Sequence, residues 1–142
     1  MINEATFINC LHLTNIKLPQ FLKSIGKSSF QKCISLSQII IPDGVESIEE
    51  SAFQDCASLT NIRIPSKVYK IKDITFKNCS SLLNIEFPNI LISIGKSSFE
   101  GCFSLSNIEI PLSVHSIGDL AFSECCSLTH LFLSSNIMSI GN

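Results

Sequence analysis

Phenylalanine recurs at Phe7, Phe30, Phe53, Phe76, Phe99 and Phe122, each 23 residues after the last. Three residues on, cysteine recurs with it, at Cys10, Cys33, Cys56, Cys79, Cys102 and Cys125. Leucine follows at the same spacing from Leu13 to Leu128, and a proline column runs from Pro19 to Pro111, with Ser134 breaking it in the last copy. The stretch SIGKSSFQKCISLSQIIIP, Ser24–Pro42, returns almost unchanged at Ser93–Pro111, which is 93 − 24 = 69 residues, or three periods, later. No insertion or deletion interrupts the columns. Self-similarity at a fixed period of about 20–50 residues marks a solenoid, a propeller or an array. Whatever one copy folds into, the next must repeat in register.

One copy reads as a short coil. Asn61–Pro65, NIRIP, alternates polar and apolar residues with the period of a half-buried strand. It stops at a proline, which cannot donate to a central ladder and belongs at a strand end. Residues 45–48, VESI, suit a second short extended piece, and residues 49–56, EESAFQDC, are expected to make one helical or 3₁₀ turn. A lone coil buries too little apolar surface to fix its own backbone, so identical columns must stack on one another. Parallel strands of neighbouring rungs then lie roughly 4.8 Å apart. The chain is read as a single array over residues 1–142, with repeats at 7–29, 30–52, 53–75, 76–98, 99–121 and 122–142. Ile2 already lies 23 residues before Ile25, the last copy stops at SIGN, and neither end carries the polar cap a solenoid needs. The expectation is a piece of a longer array, with weak end-to-end self-association through uncovered terminal rungs.

The phrases IPDGVESIEESAFQDCASLTNIRIP (Ile41–Pro65) and IPLSVHSIGDLAFSECCSLTHLFL (Ile110–Leu133) resemble BspA-like leucine-rich repeats, the 23-residue class with a recurring A-F-x-x-C and L-x-x-I-x-I-P. The resemblance covers essentially the whole chain. It implies a repeat solenoid: a curved, right-handed coil with a parallel β-sheet on its concave face and short strands or 3₁₀ turns on the convex side. It also implies a noncatalytic binding role, often on the surfaces of oral bacteria and parasitic protists that adhere to host matrix proteins or cells. Glu49 and Lys72 depart from the pattern where glycine is usual, and Ile74 and Leu120 where small polar residues are commoner. These departures are expected to loosen a few turns without threatening the fold.

A net charge of −2 with 15% charged residues offers no basic footprint for nucleic acid. Apolar runs stop at a few residues, as in Ile39-Ile40-Ile41, so nothing in this segment inserts in a membrane, and the opening MINEATF lacks signal-peptide character. Six of the seven cysteines fall in one inward column beside phenylalanine and leucine, where they read as reduced core thiols; strained bridges or metal binding are the alternatives. Cys126 stands outside the column and is the candidate exposed thiol. Catalysis finds no constellation. His12, His115 and His130 occupy three different repeat positions, and the serines Ser35, Ser58, Ser81, Ser104 and Ser127 form a turn column. No phosphate-cradling glycine motif is present. Neither cofactor nor metal site is expected, and the sequon Asn78-Cys79-Ser80 reads as an accident of the repeat.

What varies between copies is the better guide to function. With Ile62 and Ile64 inward, Asn61 and Arg63 point out of the sheet. The first outward column is Asn15, Gln38, Asn61, Asn84, Asn107 and His130, nearly uniform and expected to form an amide ladder. The second is Lys17, Ile40, Arg63, Glu86, Glu109 and Phe132, different in almost every rung. That second column, with His130, is the candidate ligand-binding surface, for a protein or glycan partner. Two functions fit: a surface adhesion module for host or matrix proteins, secreted or on the cell surface, and an intracellular scaffold or regulatory subunit holding a cytoplasmic partner. The missing leader and the reduced thiols favour the second, the family resemblance the first.

Overall fold

The computed structural model describes all of residues 1–142. Two series of strands alternate along it. Three-residue strands form the first: β1 (Asn15–Lys17), β3 (Gln38–Ile40), β5 (Asn61–Arg63), β7 (Asn84–Glu86), β9 (Asn107–Glu109) and β11 (His130–Phe132). Two-residue strands form the second: β2 (Ser24–Ile25), β4 (Ser47–Ile48), β6 (Lys70–Ile71), β8 (Ser93–Ile94), β10 (Ser116–Ile117) and β12 (Ser139–Ile140). All pairing is parallel and joins equivalent positions of neighbouring copies, as in Asn15 with Gln38 or Ser116 with Ser139. Each copy is thus one rung of a parallel-strand solenoid, and no helix is present. The prolines end the first series as anticipated. Their carbonyls take the N–H three residues on, from Pro19–Leu22 to Pro111–Val114, each at 3.0 Å, which turns the chain at the corner.

The core is a set of columns. From Phe7 to Phe122 the rings stack face to face, with centroids 5.1 to 5.5 Å apart and planes within 14°. Phe30, Phe53, Phe76 and Phe99 are fully buried, as are Leu36, Leu59, Leu82 and Leu105 beside them. The cysteines do more than fill space. Each thiol from Cys33 to Cys125 donates to the carbonyl of the phenylalanine one rung back, at 3.1 to 3.2 Å. The same carbonyls accept the N–H of the cysteine in their own rung, so two donors meet at one buried oxygen. A serine-sized donor with an apolar body is what the position requires, and cysteine supplies it.

The segment EESAFQDC, expected to make a helical or 3₁₀ turn, forms linked β-turns instead, with Gln54 donating to Ser51 and Cys56 to Phe53. Ser51 and Asp55 have φ of 56° and 59°, and the same two positions are left-handed in the other rungs. Left-handed residues at this spacing prevent a right-handed turn from propagating. They also turn the peptides so that N–H groups face the next rung. Ser28, Phe30 and Lys32 donate to the carbonyls of Glu50, Ala52 and Gln54, and the pattern recurs along the array. Ile74 and Leu120, noted above as departures, sit at left-handed positions with φ of 60° and 55°. Small polar residues suit that position because a branched side chain there is strained.

Two breaks interrupt the strand ladders. The second series divides between β4 and β6, at Lys72. Glycine follows β2, β8, β10 and β12, and a Cβ added to Gly118 would meet the backbone of Lys96 and Gly95 at 2.5 to 2.9 Å. Glu49 lies over Gly26 and keeps its bond to Ile25 at 3.0 Å. Lys72 follows a rung that also lacks the glycine, and its equivalent bond, to Ile48, is absent. The first series divides between β7 and β9. There Glu86 and Glu109 occupy the same outward column on adjacent strands, and like charges side by side oppose pairing. Phe87, larger than the isoleucines of its column, turns inward and packs edge-on against Phe99 at 6.0 Å.

Candidate binding face

The first strand series lines a concave trough of about 980 Å³ between β3 and β9, with Leu112 on its far rim. Its floor follows from strand alternation: Ile39, Ile62, Ile85 and Ile108 turn into the core, and the residues either side face solvent. All seven residues singled out in the sequence are exposed. Strand register sets Lys17 beside Ile40, Arg63 beside Glu86 and Glu109 beside Phe132 on the outward side, and His130 stacks on Phe132 with ring centroids 6.5 Å apart.

The amide column forms less of a ladder than its uniformity suggested. Asn84 donates to Asn61 at 3.0 Å, but Asn15, Asn61 and Asn107 turn to the hydroxyl of the residue before them. A local threonine or serine competes with the neighbouring rung, which leaves amide groups open along the trough.

Its charges are unbalanced. Arg63 is neutralised by Asp43 at 2.7 Å, whereas Glu86 and Glu109 have no cation within ion-pair distance. Three apolar side chains stand in water on either side of this pair: Ile40, 86% exposed, Leu112, 72%, and Phe132, 78%. No third acidic, histidine or cysteine side chain joins the two glutamates to make a metal site.

All seven cysteines are free, and burial pushes Cys33 and Cys125 up to about 11 and the thiols of Cys56, Cys79 and Cys102 higher still, so none of the five is a ready thiolate. Cys126 is exposed. His12, His115 and His130 are surface residues on separate columns. The serine column links rungs mainly through its backbone: Ser58, Ser81, Ser104 and Ser127 N–H groups bond one rung back at 3.1 to 3.2 Å, and only Ser35 adds its hydroxyl.

One surface was missed. On the second series, Tyr69, Ile92, His115 and Met138 follow one another in adjacent rungs, linked backbone to backbone and exposed. The signal was present in the sequence, since the position after the Val/Leu column is as variable as the concave one: Lys23, Glu46, Tyr69, Ile92, His115, Met138.

Comparison with known structures agrees with this geometry. A T. pallidum leucine-rich repeat protein superposes with a TM-score of 0.93 at 31% identity, covering 99% of this chain and 65% of its own. A leucine-rich repeat protein from Eubacterium ventriosum gives 0.68 at 22% identity over 89% of this chain and 41% of its own. The pneumococcal vaccine antigen PcpA gives 0.56 at 18% identity over 90% of this chain and 47% of its own; at these lower identities the likeness is of fold. The chain therefore spans less than two thirds of each of these relatives. No curated protein matches its sequence. The repeat itself is recognised throughout: six copies of the BspA type leucine-rich repeat region match residues 1–89 and 48–142, and the chain belongs to that family.

Proposed function

We propose that the chain is a noncatalytic protein-interaction module of the adhesion type, which binds host or matrix protein ligands through the concave column. The observation that carries this reading is the contrast between columns. Core and turn positions repeat from rung to rung, while Lys17, Ile40, Arg63, Glu86, Glu109 and Phe132 change almost every time and stand exposed, the middle four lining the trough. Packing constrains the repeated columns; a shape and charge pattern read by a partner accounts for a varied, exposed one. Selection of peptides from a displayed random library tests it. Clones are expected to bind the native chain and to be lost on the Ile40→Asp/Phe132→Asp variant, but kept on Tyr69→Asp/Met138→Asp. Loss only on the second variant moves the site to the other face and sinks this reading.

The free thiol column favours a second setting for the same surface, an intracellular scaffold, because unpaired cysteines persist in reducing compartments. Antibody labelling of intact against permeabilised source cells separates the two. Labelling of intact cells excludes the scaffold, and labelling only after permeabilisation excludes the adhesin.

A further inference from the structure

The concave column states what kind of partner it suits. We infer that the trough takes an extended polypeptide segment carrying a basic residue between apolar ones, the basic side chain bridging Glu86 and Glu109. This rests on the concave-face reading above and goes beyond it by fixing the chemistry of the ligand.

Three observations converge. First, the net charge of the central trough is negative. Arg63 is cancelled by Asp43, so the two glutamates remain, adjacent on β7 and β9 and without a cation of their own. Second, that charge lies between apolar side chains exposed to water, Ile40 on one side and Leu112 and Phe132 on the other. Apolar side chains exposed on both sides of the charge offer a partner's own apolar side chains surface to cover. Third, Asn107 and Asn84 line the same stretch, offering donors and acceptors that match a peptide backbone.

The spacing sets the length. Ile40 on β3 and Phe132 on β11 are separated by four strand steps, roughly 19 Å at about 4.8 Å each, which an extended chain crosses in about six residues. An apolar side chain at each end and a lysine or arginine near the middle would meet the column in order. The glutamates side by side also oppose strand pairing. A cation between them removes that repulsion, so binding should draw β7 and β9 together.

The test uses peptides taken from the concave-dependent clones, synthesised with the selected residue, then with each lysine or arginine replaced by glutamine. Clones should be enriched in basic residues flanked by apolar ones. Affinity should fall roughly three- to tenfold on Glu86→Gln/Glu109→Gln, and a comparable loss should follow replacement of the central base. It should also weaken with added salt, through the association rate. Hydrogen exchange at β7 and β9 should slow on binding. Concave-dependent clones that are acidic or neutral, or indifferent to the two glutamine substitutions, would overturn the inference and leave the concave face standing as the site. Absence of any concave-dependent clone would bring down both. If calcium or magnesium chloride alone slows exchange at β7 and β9, and does so no longer in the glutamine variant, the pair is a cation site, and the inference is wrong.

Discussion

The boundary between β5 and β7 and the one between β7 and β9 share a strand yet are built differently. In the first, three residue pairs meet in register, with Arg63 opposite Glu86. In the second, Glu86 neighbours Glu109 and the strands are not hydrogen-bonded. The spine does not register the difference. Phe53–Phe76 and Phe76–Phe99 are both 5.5 Å apart, and the thiols of Cys79 and Cys102 reach back across the two boundaries at 3.1 and 3.2 Å. Cohesion between rungs therefore lives in the aromatic stack, the thiol bonds and the turn ladder. The concave strands are left free to carry sequences that pair badly.

The largest test of that division is alkaline. Each buried thiol has a folded pKa above its ordinary value of 9.0, about 11 for Cys33 and Cys125 and higher for the three between them. Raised values mean that the stabilisation is intact below pH 9.0 and is lost as pH climbs, because the unfolded chain sheds protons that the folded chain keeps. A fully buried thiol such as Cys79 costs roughly 1.4 kcal/mol per pH unit in that range. Denaturant unfolding across the window should show a steep decline, less steep in Cys79→Ala and Cys102→Ala alike. A flat profile would mean that the thiols are not the common tie.

Next in size is the ring between the two boundaries. Phe76→Ala should cost about 3–5 kcal/mol by leaving a cavity against both neighbours. Phe7→Ala should cost much less, since that ring is half-buried and stacks on Phe30 alone. Equal losses in chemical denaturation would contradict a stack whose members act through their neighbours.

A smaller effect separates the boundaries at the position before the ring. Thr75 satisfies its hydroxyl on the Lys72 carbonyl at 2.8 Å, whereas Ser98, fully buried, has no partner, and neither has Ser29. Ala52 and Ala121 fill the same column. Ser98→Ala should raise stability by about 1–3 kcal/mol, the desolvation of an orphan hydroxyl. A thermal melt showing a decrease would reveal a partner for that group.

The smallest effect bears on the seam itself. Glu109→Lys sets a cation beside Glu86, the arrangement found across β5 and β7. It should stabilise by only about 0.2–1 kcal/mol but slow hydrogen exchange at β7 and β9. Unchanged exchange would place the cause of the seam in Phe87 rather than in charge.

The fold was legible because a period leaves few choices: inward and outward residues, strand ends and the stacked rings all follow from columns of identical chemistry. The left-handed turns were not, since Ser51 and Asp55 favour helix or turn alike and only the next rung's carbonyls decide. The thiol bonds were hidden for a related reason. Cysteine among phenylalanines reads as a small hydrophobe, and its acceptor, Phe30 for Cys56, lies 26 residues back in another rung. At the binding face, the sequence revealed which residues vary but not that Asp43 cancels Arg63, a pairing across 20 residues that leaves the glutamates uncompensated.

The turn ladder has an electrical consequence. At Ser28, Phe30 and Lys32 the N–H groups all point towards the later rung and the carbonyls before them towards the earlier one, and successive rungs repeat this alignment. In an ordinary strand such dipoles alternate and cancel. Here peptide units of about 3.5 D each add along the turn edge, as they do along a helix, with the positive pole towards the C-terminal rungs, while at the other edges N–H groups such as those of Glu46, Ser58 and Gly95 point to the earlier rung. The turn edge is polarised like a magnet built from identical plates and the other edges run the opposite way, so a charged partner lying along one edge would feel which way the repeats run there.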